Sequence, residues 1–403
     1  MSKPCPHCGP LPVNHLNSWF SDLLDCFFMG LERKIGGWNF FKQFEQGAGK
    51  LATALLERVR IISYEDVDKI DRGKIYNRTL VLLDEAKKRG IRAGAARFLG
   101  RYNNHFFVEI AGKKNIFQGL PGADSFVKPE GLLVDDKAEV KRILENHNFP
   151  TAAGRHFWRT RPAQKYGVAL GFPLVVKPRW GSISRHVFID IRDQNALAQA
   201  IRLVQKISPS FVVEKYLRQR EVYRATLVNF KLGGVVKRIP ANVVGDGVHN
   251  VCELLETKNS DPRRGEPKQK DCTFLKIVAD EISRRLLSEQ GLSFDSVPQD
   301  GQRVFLQEKV ILDLGADLVE CSDAAHPDNI SLFEKVAQIF GAKILGIDFL
   351  CGDIATSWKE QECAIIELNS LPFIDMHHFP SQGQPRNIAG FIWDMVEGKV
   401  SNW

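Results

Sequence analysis

Residues 364–371 read AIIELNSL. Ala364, Ile365 and Ile366 run straight into Glu367, and Asn369 follows. Side chains alternate along a strand, so Glu367 and Asn369 share one face. Two hard oxygen ligands side by side at the end of an apolar strand suit Mg²⁺. The competing reading is a strand that leaves the core and meets water, because strand ends are often polar. What the rest of the chain sets beside this strand decides between the two.

The 403 residues imply two or three lobes, and 44% hydrophobic with 26% charged residues is the composition of an ordinary globular protein. The net charge of +7 fits a phosphate or carboxylate ligand. It is too small and too dispersed to argue for nucleic acid. No apolar run is long enough to cross a membrane, and MSKPCPHCGP at the start lacks the apolar stretch of a secretory signal. The eight cysteines are mostly isolated, which suits free thiols in a cytoplasmic protein.

Residues 1–70 stand apart. Cys5 and Cys8 form a CPHC knuckle, whose two thiolates can face one zinc ion. His15 and Cys26 are the nearest further ligands, and a plain reduced tip is the alternative. Leu16, Trp19, Phe20, Leu23, Leu24, Phe27, Phe28 and Leu31 fall on one helical face. The opposite face is acidic rather than Lys-rich, which argues against a membrane surface and for packing on the body or on a second copy, a homodimer. Residues 71–130 read as a smaller α/β region, with a helix over NRTLVLLDEAKKRG and a hairpin turning at Gly112.

From residue 131 onward the pattern thickens. A helix opens at Asp135–Asp136 and stops before Pro150. PLVVKP and HVFIDI read as strands joined by RWGSIS, followed by a helix at 195–206 and a strand FVVEKYL. Together they make an α+β lobe over about residues 155–225. Residues 226–403 form a second lobe, in which the polar stretch at 257–271 reads as a flap.

Chemistry-bearing residues recur at strand ends. Lys177 ends an apolar strand and leads into a loop with Gly181, Ser182 and Ser184, a cation beside backbone N–H groups and hydroxyls that suits a polyphosphate. In FVVEKYLRQRE, Glu214 could meet an adenine amino group, the backbone at Lys215–Leu217 its ring edge, and Glu221 the ribose. A strand with solvated charges is the other reading. Asp348 lies within the apolar ILGIDFL and needs a cation or donor there. Asp348, Glu367 and Asn369 together make an oxygen-rich set for Mg²⁺ or Mn²⁺.

The chain from about 130 to 400 resembles the ATP-grasp ligases, including D-alanine–D-alanine ligase and glutathione synthetase, and most of all the ATP-grasp part of cyanophycin synthetase. The likeness is carried by DDKAEVKRIL, GFPLVVKP, VVEKYL, GIDFL, IIELNSLP, SQGQPRNIAGFIWDM and, most specifically, the stretch from RIPANVV to RRGE at 238–266. It implies an α+β fold of two lobes gripping ATP, with residues 155–225 as a lid. It implies an ATP-dependent ligase that joins the carboxylate and the amine of amino acids or small peptides through an acyl-phosphate. By the same resemblance, Lys137 and Lys177 contact phosphates, Glu214 to Leu217 hold adenine, Glu221 holds ribose, and Asp348, Glu367 and Asn369 bind Mg²⁺. Arg224 and Arg238 stand where the relatives keep catalytic arginines. On this reading Asp348→Asn leaves the fold intact.

Two departures stand out. The relatives' lid loop is of the kind GNxGRG, whereas this chain reads GSISRH, with side chains at Ser184 and His186 that disfavour a left-handed backbone. The relatives also carry LRxNANLSTGG where this chain has LQEKVILDLGAD at 306–317. That change motivates two alternatives: a nucleotide-binding regulatory protein without ligase activity, and a ligase that modifies another protein.

Overall fold

The computed structural model describes residue 5 and residues 14–24, 61–110, 112–121, 127–181, 184–218 and 221–399. Its centre is a five-stranded antiparallel sheet in the order Asp317–Glu320, Lys231–Ile239, Glu221–Val228, Ile344–Cys351, Ala364–Asn369. Alternation along Ile344–Cys351 sends Ile347 and Phe349 into the main core, where Phe349 meets Phe333 edge-on at 5.2 Å. Helix Pro327–Phe340 supplies Phe333 and covers that face. Asp348 points to the opposite face.

The lid is a four-stranded sheet in the order Gly154–Phe157, Phe211–Lys215, Leu174–Pro178, Phe188–Ile191, with its own core of Leu174, Val176, Leu197, Ile201 and Phe211. Helix Gln194–Val204 packs on it and is capped by Asp193, whose carboxylate accepts the N–H groups of Asn195 and Ala196.

The N-terminal region departs from the sequence expectation. Its sheet runs Ile62–Asp66, Ala93–Phe98, Arg101–Ile110, Lys113–Gln118, all antiparallel, so a strand before residue 71 is integral to it. Helix Asn77–Lys88 shares one core with helix Ile388–Glu397. Trp393 Nε1 donates to the Leu82 carbonyl at 3.0 Å, and Arg89 pairs with Asp394 at 2.6 Å and Glu397 at 3.0 Å. Helices Asn77–Lys88 and Ile388–Glu397 are therefore packed as one body.

The stretch at 257–271, read as a flap, is pinned instead. Arg264 is buried, pairs with Asp317, and donates to the carbonyls of Leu275 and Gly315 at 3.0 and 3.1 Å. Residues 15–24 are helical as their spacing implies, yet Leu16, Phe20 and Leu24 are exposed, so the described body does not cover that apolar face. Among the described residues no helix is long and apolar enough to cross a membrane.

Candidate active site

A cavity of about 640 Å³ opens between the lid sheet and the central sheet. Its walls bring together Lys137, Lys177, Ser184, Glu214, Lys215, Leu217, Glu221, Arg238, Asp348 and Glu367 from six separate stretches of the chain. Ser182 and Cys8 lie outside the described residues.

The floor is a row of charges laid across three strands. Arg224, Asp348 and Glu367 stand directly opposite one another on Glu221–Val228, Ile344–Cys351 and Ala364–Asn369. Residues paired in register share a face, so all three side chains rise from the same side of the sheet. Arg224 Nε donates to Asp348 Oδ1 at 2.5 Å, and Arg238 Nη1 reaches both oxygens of Asp348 at 3.2 and 3.3 Å. Arg238 also donates to the Val310 carbonyl at 2.9 Å. Burial alone would raise the Asp348 carboxyl; the two guanidinium groups outweigh it and hold it below the usual carboxylate range. Gly346 makes room for this arrangement, because a Cβ there would come within 3.1 Å of Arg224 Nη1 and 2.9 Å of Pro372.

Strand Ala364–Asn369 carries an irregularity. Glu367 pairs with Asp348 but Ile365 pairs with Phe349, which leaves Ile366 as an extra residue. The bulge turns the Ile366 carbonyl toward the lid, where it accepts from Lys177 Nζ at 3.1 Å. Lys177 Nζ also lies 2.6 Å from Glu214 Oε1, and both residues are buried. Lys177 and Glu214 sit on adjacent lid strands, so this pair and the bulge tie the lid to the central sheet.

Lys137 is set from a third direction. Asp136 caps its helix and receives a bidentate contact from Arg179 at 2.7 and 2.6 Å. The Lys137 N–H donates to the Arg179 carbonyl at 3.2 Å, and its ammonium reaches the Gly181 carbonyl at 2.7 Å and Glu367 Oε1 at 3.2 Å.

At the strand end the Lys215 ammonium is turned away onto the carbonyls of Gly171 and Phe172, at 3.0 and 3.1 Å. Its backbone N–H is bound to Ala153, and that of Tyr216 to Pro173. Glu221 is at the rim with Lys237 at 3.0 Å. Arg224 and Asn369 lie behind the lining. The Asn369 side-chain nitrogen is buried without a hydrogen-bond partner. An amide's N and O are told apart only by what they touch, so this group can present its oxygen to a cation.

Ser184 and His186 adopt φ of 52° and 48°, so the loop takes the left-handed turns expected of glycine despite its side chains. Such residues cost on the order of 1 kcal/mol or more each and persist when the surroundings hold them. Here Lys309 Nζ reaches the Ser184 carbonyl at 3.4 Å. Tyr216, within the stretch read as the adenine site, lines the cavity, as do Lys309, Glu308, Arg185 and Trp180, which motif reading passed over as site residues. Lys309 did carry a signal, as part of the altered segment. Burial pushes its ammonium below the usual lysine range.

No protein-family model matches the chain. It is 34% identical over 326 residues to cyanophycin synthetase of Trichormus variabilis, covering 79% of this chain and 34% of that protein. It is 28% identical over 341 residues to the glutathione biosynthesis bifunctional protein GshAB of Clostridium perfringens, covering 83% of this chain and 42% of that protein. The bifunctional glutathione synthetase of Pasteurella multocida superposes with a TM-score of 0.62 at 24% identity, over 81% of this chain and 45% of that one. The chain has the ATP-grasp fold. Its two antiparallel lobes are the grip of an ATP-grasp protein, and the cavity lies between them. This ATP-grasp chain spans about a third of the length of the cyanophycin synthetase it matches.

Proposed function

We propose that this chain is an ATP-dependent ligase joining the carboxylate of an amino acid or small peptide to an amine. The observation that carries the reading is the Arg224–Asp348–Glu367 row facing the Lys177–Glu214 pair across one cavity. A carboxylate oxygen would attack the γ-phosphorus of ATP, forming an acyl-phosphate and releasing ADP. The amine nitrogen would then attack the carbonyl carbon, and the C–O bond to phosphate would break as the C–N bond forms. Such chemistry needs positioning and charge neutralisation, because ATP supplies the driving force.

Glu214 would accept from the adenine amino group. With the N–H groups of Lys215 and Tyr216 already bonded, the Lys215 carbonyl and the Leu217 N–H would read the ring edge. Glu221 would take the ribose. Lys177, 2.6 Å from Glu214, would meet the phosphate nearest the nucleoside, and Lys137 and Ser184 those further along. Arg238, with Arg224 behind it, would face the acyl-phosphate. Asp348, Glu367 and Asn369 would hold Mg²⁺, which when bound neutralises phosphate charge. None of the six described cysteines forms a disulfide, which supports a reducing compartment such as the cytoplasm.

The test is phosphate release from ATP and Mg²⁺ over pools of amino acids and short peptides, with Glu367→Gln as the blank. A pool that raises release above the blank supports the ligase. Bound ATP with no response from any pool would reject it in favour of a regulatory or protein-modifying role.

A further inference from the structure

His186 sits on the lid loop between residues that line the ATP cavity, yet it is not part of that lining. Its ring is fully buried. Nδ1 lies 3.0 Å from the Leu203 carbonyl of the lid helix, and a carbonyl can only accept, so Nδ1 carries the proton. That fixes the tautomer and leaves the lone pair on Nε2. Nε2 lies 3.6 Å from Cys5 Sγ. The His15 ring meets the His186 ring edge-on, 5.2 Å between centroids. Cys5 Sγ and one ring nitrogen from each histidine all fall within 4.8 Å of one another.

The Cys5–His186 pair has the spacing of two ligands on one metal ion. Zinc bonds of about 2.0 Å to nitrogen and 2.3 Å to sulfur at tetrahedral angles separate neighbouring ligand atoms by about 3.3–3.8 Å. The Cys5–His186 distance lies in that window. A histidine anchored through its second nitrogen to a backbone carbonyl is the usual support of a zinc ligand. We propose that Cys5, His15 and His186 bind a structural zinc ion that fastens the N-terminal segment to the lid loop of the ATP site. Cys8 and Cys26, the partners that spacing suggests, lie outside the described residues. The three described ligands make a trigonal set that one further ligand completes to a tetrahedron. His186 supplies the lid's share, and its neighbours Ser184, Arg185 and Val187 face the cavity, so the ion restrains the loop that closes over it.

The experiment uses the full chain, tag-free, loaded with zinc and then exhaustively dialysed. The expected result is about one retained zinc ion per chain, with the thiolate charge-transfer band appearing when Co²⁺ replaces it. Cys5→Ser and His15→Ala, both away from the cavity lining, should lower retained zinc at least ~10-fold. Chelation should speed proteolytic cleavage in the lid loop of the parent and leave Cys5→Ser, already fast, unchanged. His186→Ala removes a buried ring, so its folding is checked by thermal melting. No retained zinc in the parent, a full equivalent in Cys5→Ser, or a full equivalent in a folded His186→Ala would each overturn the proposal.

Discussion

Arg224 and Asp348 stand opposite one another on adjacent strands, 2.5 Å apart and both buried, with Arg238 closing on the same carboxylate. Removing one partner of a buried pair leaves an uncompensated charge and costs about 3–5 kcal/mol. Asp348→Asn should therefore lose roughly that much stability, contrary to the sequence expectation of an intact fold. Urea unfolding at pH 7 is the check. A midpoint and slope equal to the parent's would show that the pair is not formed.

Glu367→Gln is the cleaner probe of the metal reading. The Glu367 side chain is a quarter exposed, and its partner Lys137 keeps the Gly181 carbonyl at 2.7 Å. The stability change should stay within about 1 kcal/mol, as for ordinary partly exposed pairs. Mg²⁺-dependent ATP turnover should fall at least ~100-fold, the scale of a lost charge-stabilising group. Turnover at the parent's rate would remove Glu367 from the metal set.

Lys177→Ala should weaken ATP binding at least ~10-fold, the low end for a charge-assisted contact. It also strands Glu214, which is buried beside it. The double variant Lys177→Ala/Glu214→Gln should regain stability over the single one without regaining affinity. Titration calorimetry and thermal melts on both proteins separate the effects, and parent-like affinity in the single variant would refute the phosphate role.

Several of these relationships were legible in the sequence because strand periodicity is local. Lys177, Glu214, Asp348 and Glu367 each close or interrupt an apolar run, and that pattern survives folding. What periodicity cannot give is register. The bulge at Ile366 arises from pairing with Phe349 and Asp348, far away in the chain. The Arg179–Asp136 clamp that sets Lys137 is likewise a contact across two lobes. The strand Ala93–Phe98 was missed because AGAARF is small and does not alternate. His186 near Cys5 was beyond sequence reading altogether, since 181 residues separate them.

Lys309→Met should show stability and turnover moving in opposite directions. Burial lowers the Lys309 ammonium below its ordinary range. The folded state therefore loses its proton before the unfolded one does, and at neutral pH the charge works against folding. Methionine keeps the length without the charge, so its melting temperature at pH 7 should exceed the parent's, with the gap closing as pH rises toward the lysine range. The cavity loses a cation, so ligase turnover should fall. A variant equal to the parent in both respects would show Lys309 to be a bystander.

Asp375 offers a test of a buried charge away from the cavity. Its carboxylate accepts from Thr273 Oγ1 at 2.9 Å, while Oδ1 is buried without a hydrogen-bond partner. Burial raises the carboxyl from 3.8 to about 6, although Thr273 and Arg78 pull the other way. The unfolded chain gives up this proton near 3.8 and the folded chain holds it to about 6. Between those values the folded state binds more protons, so stability falls as pH rises through the window and stays lower above it. Two units correspond to about 3 kcal/mol. Asp375→Asn keeps an acceptor for Thr273 and cannot ionise. It should gain on the parent by up to ~3 kcal/mol between acid and neutral pH. Urea unfolding of both proteins at either end of the window measures this. A stability difference that does not change with pH would show that the Asp375 carboxyl does not titrate there.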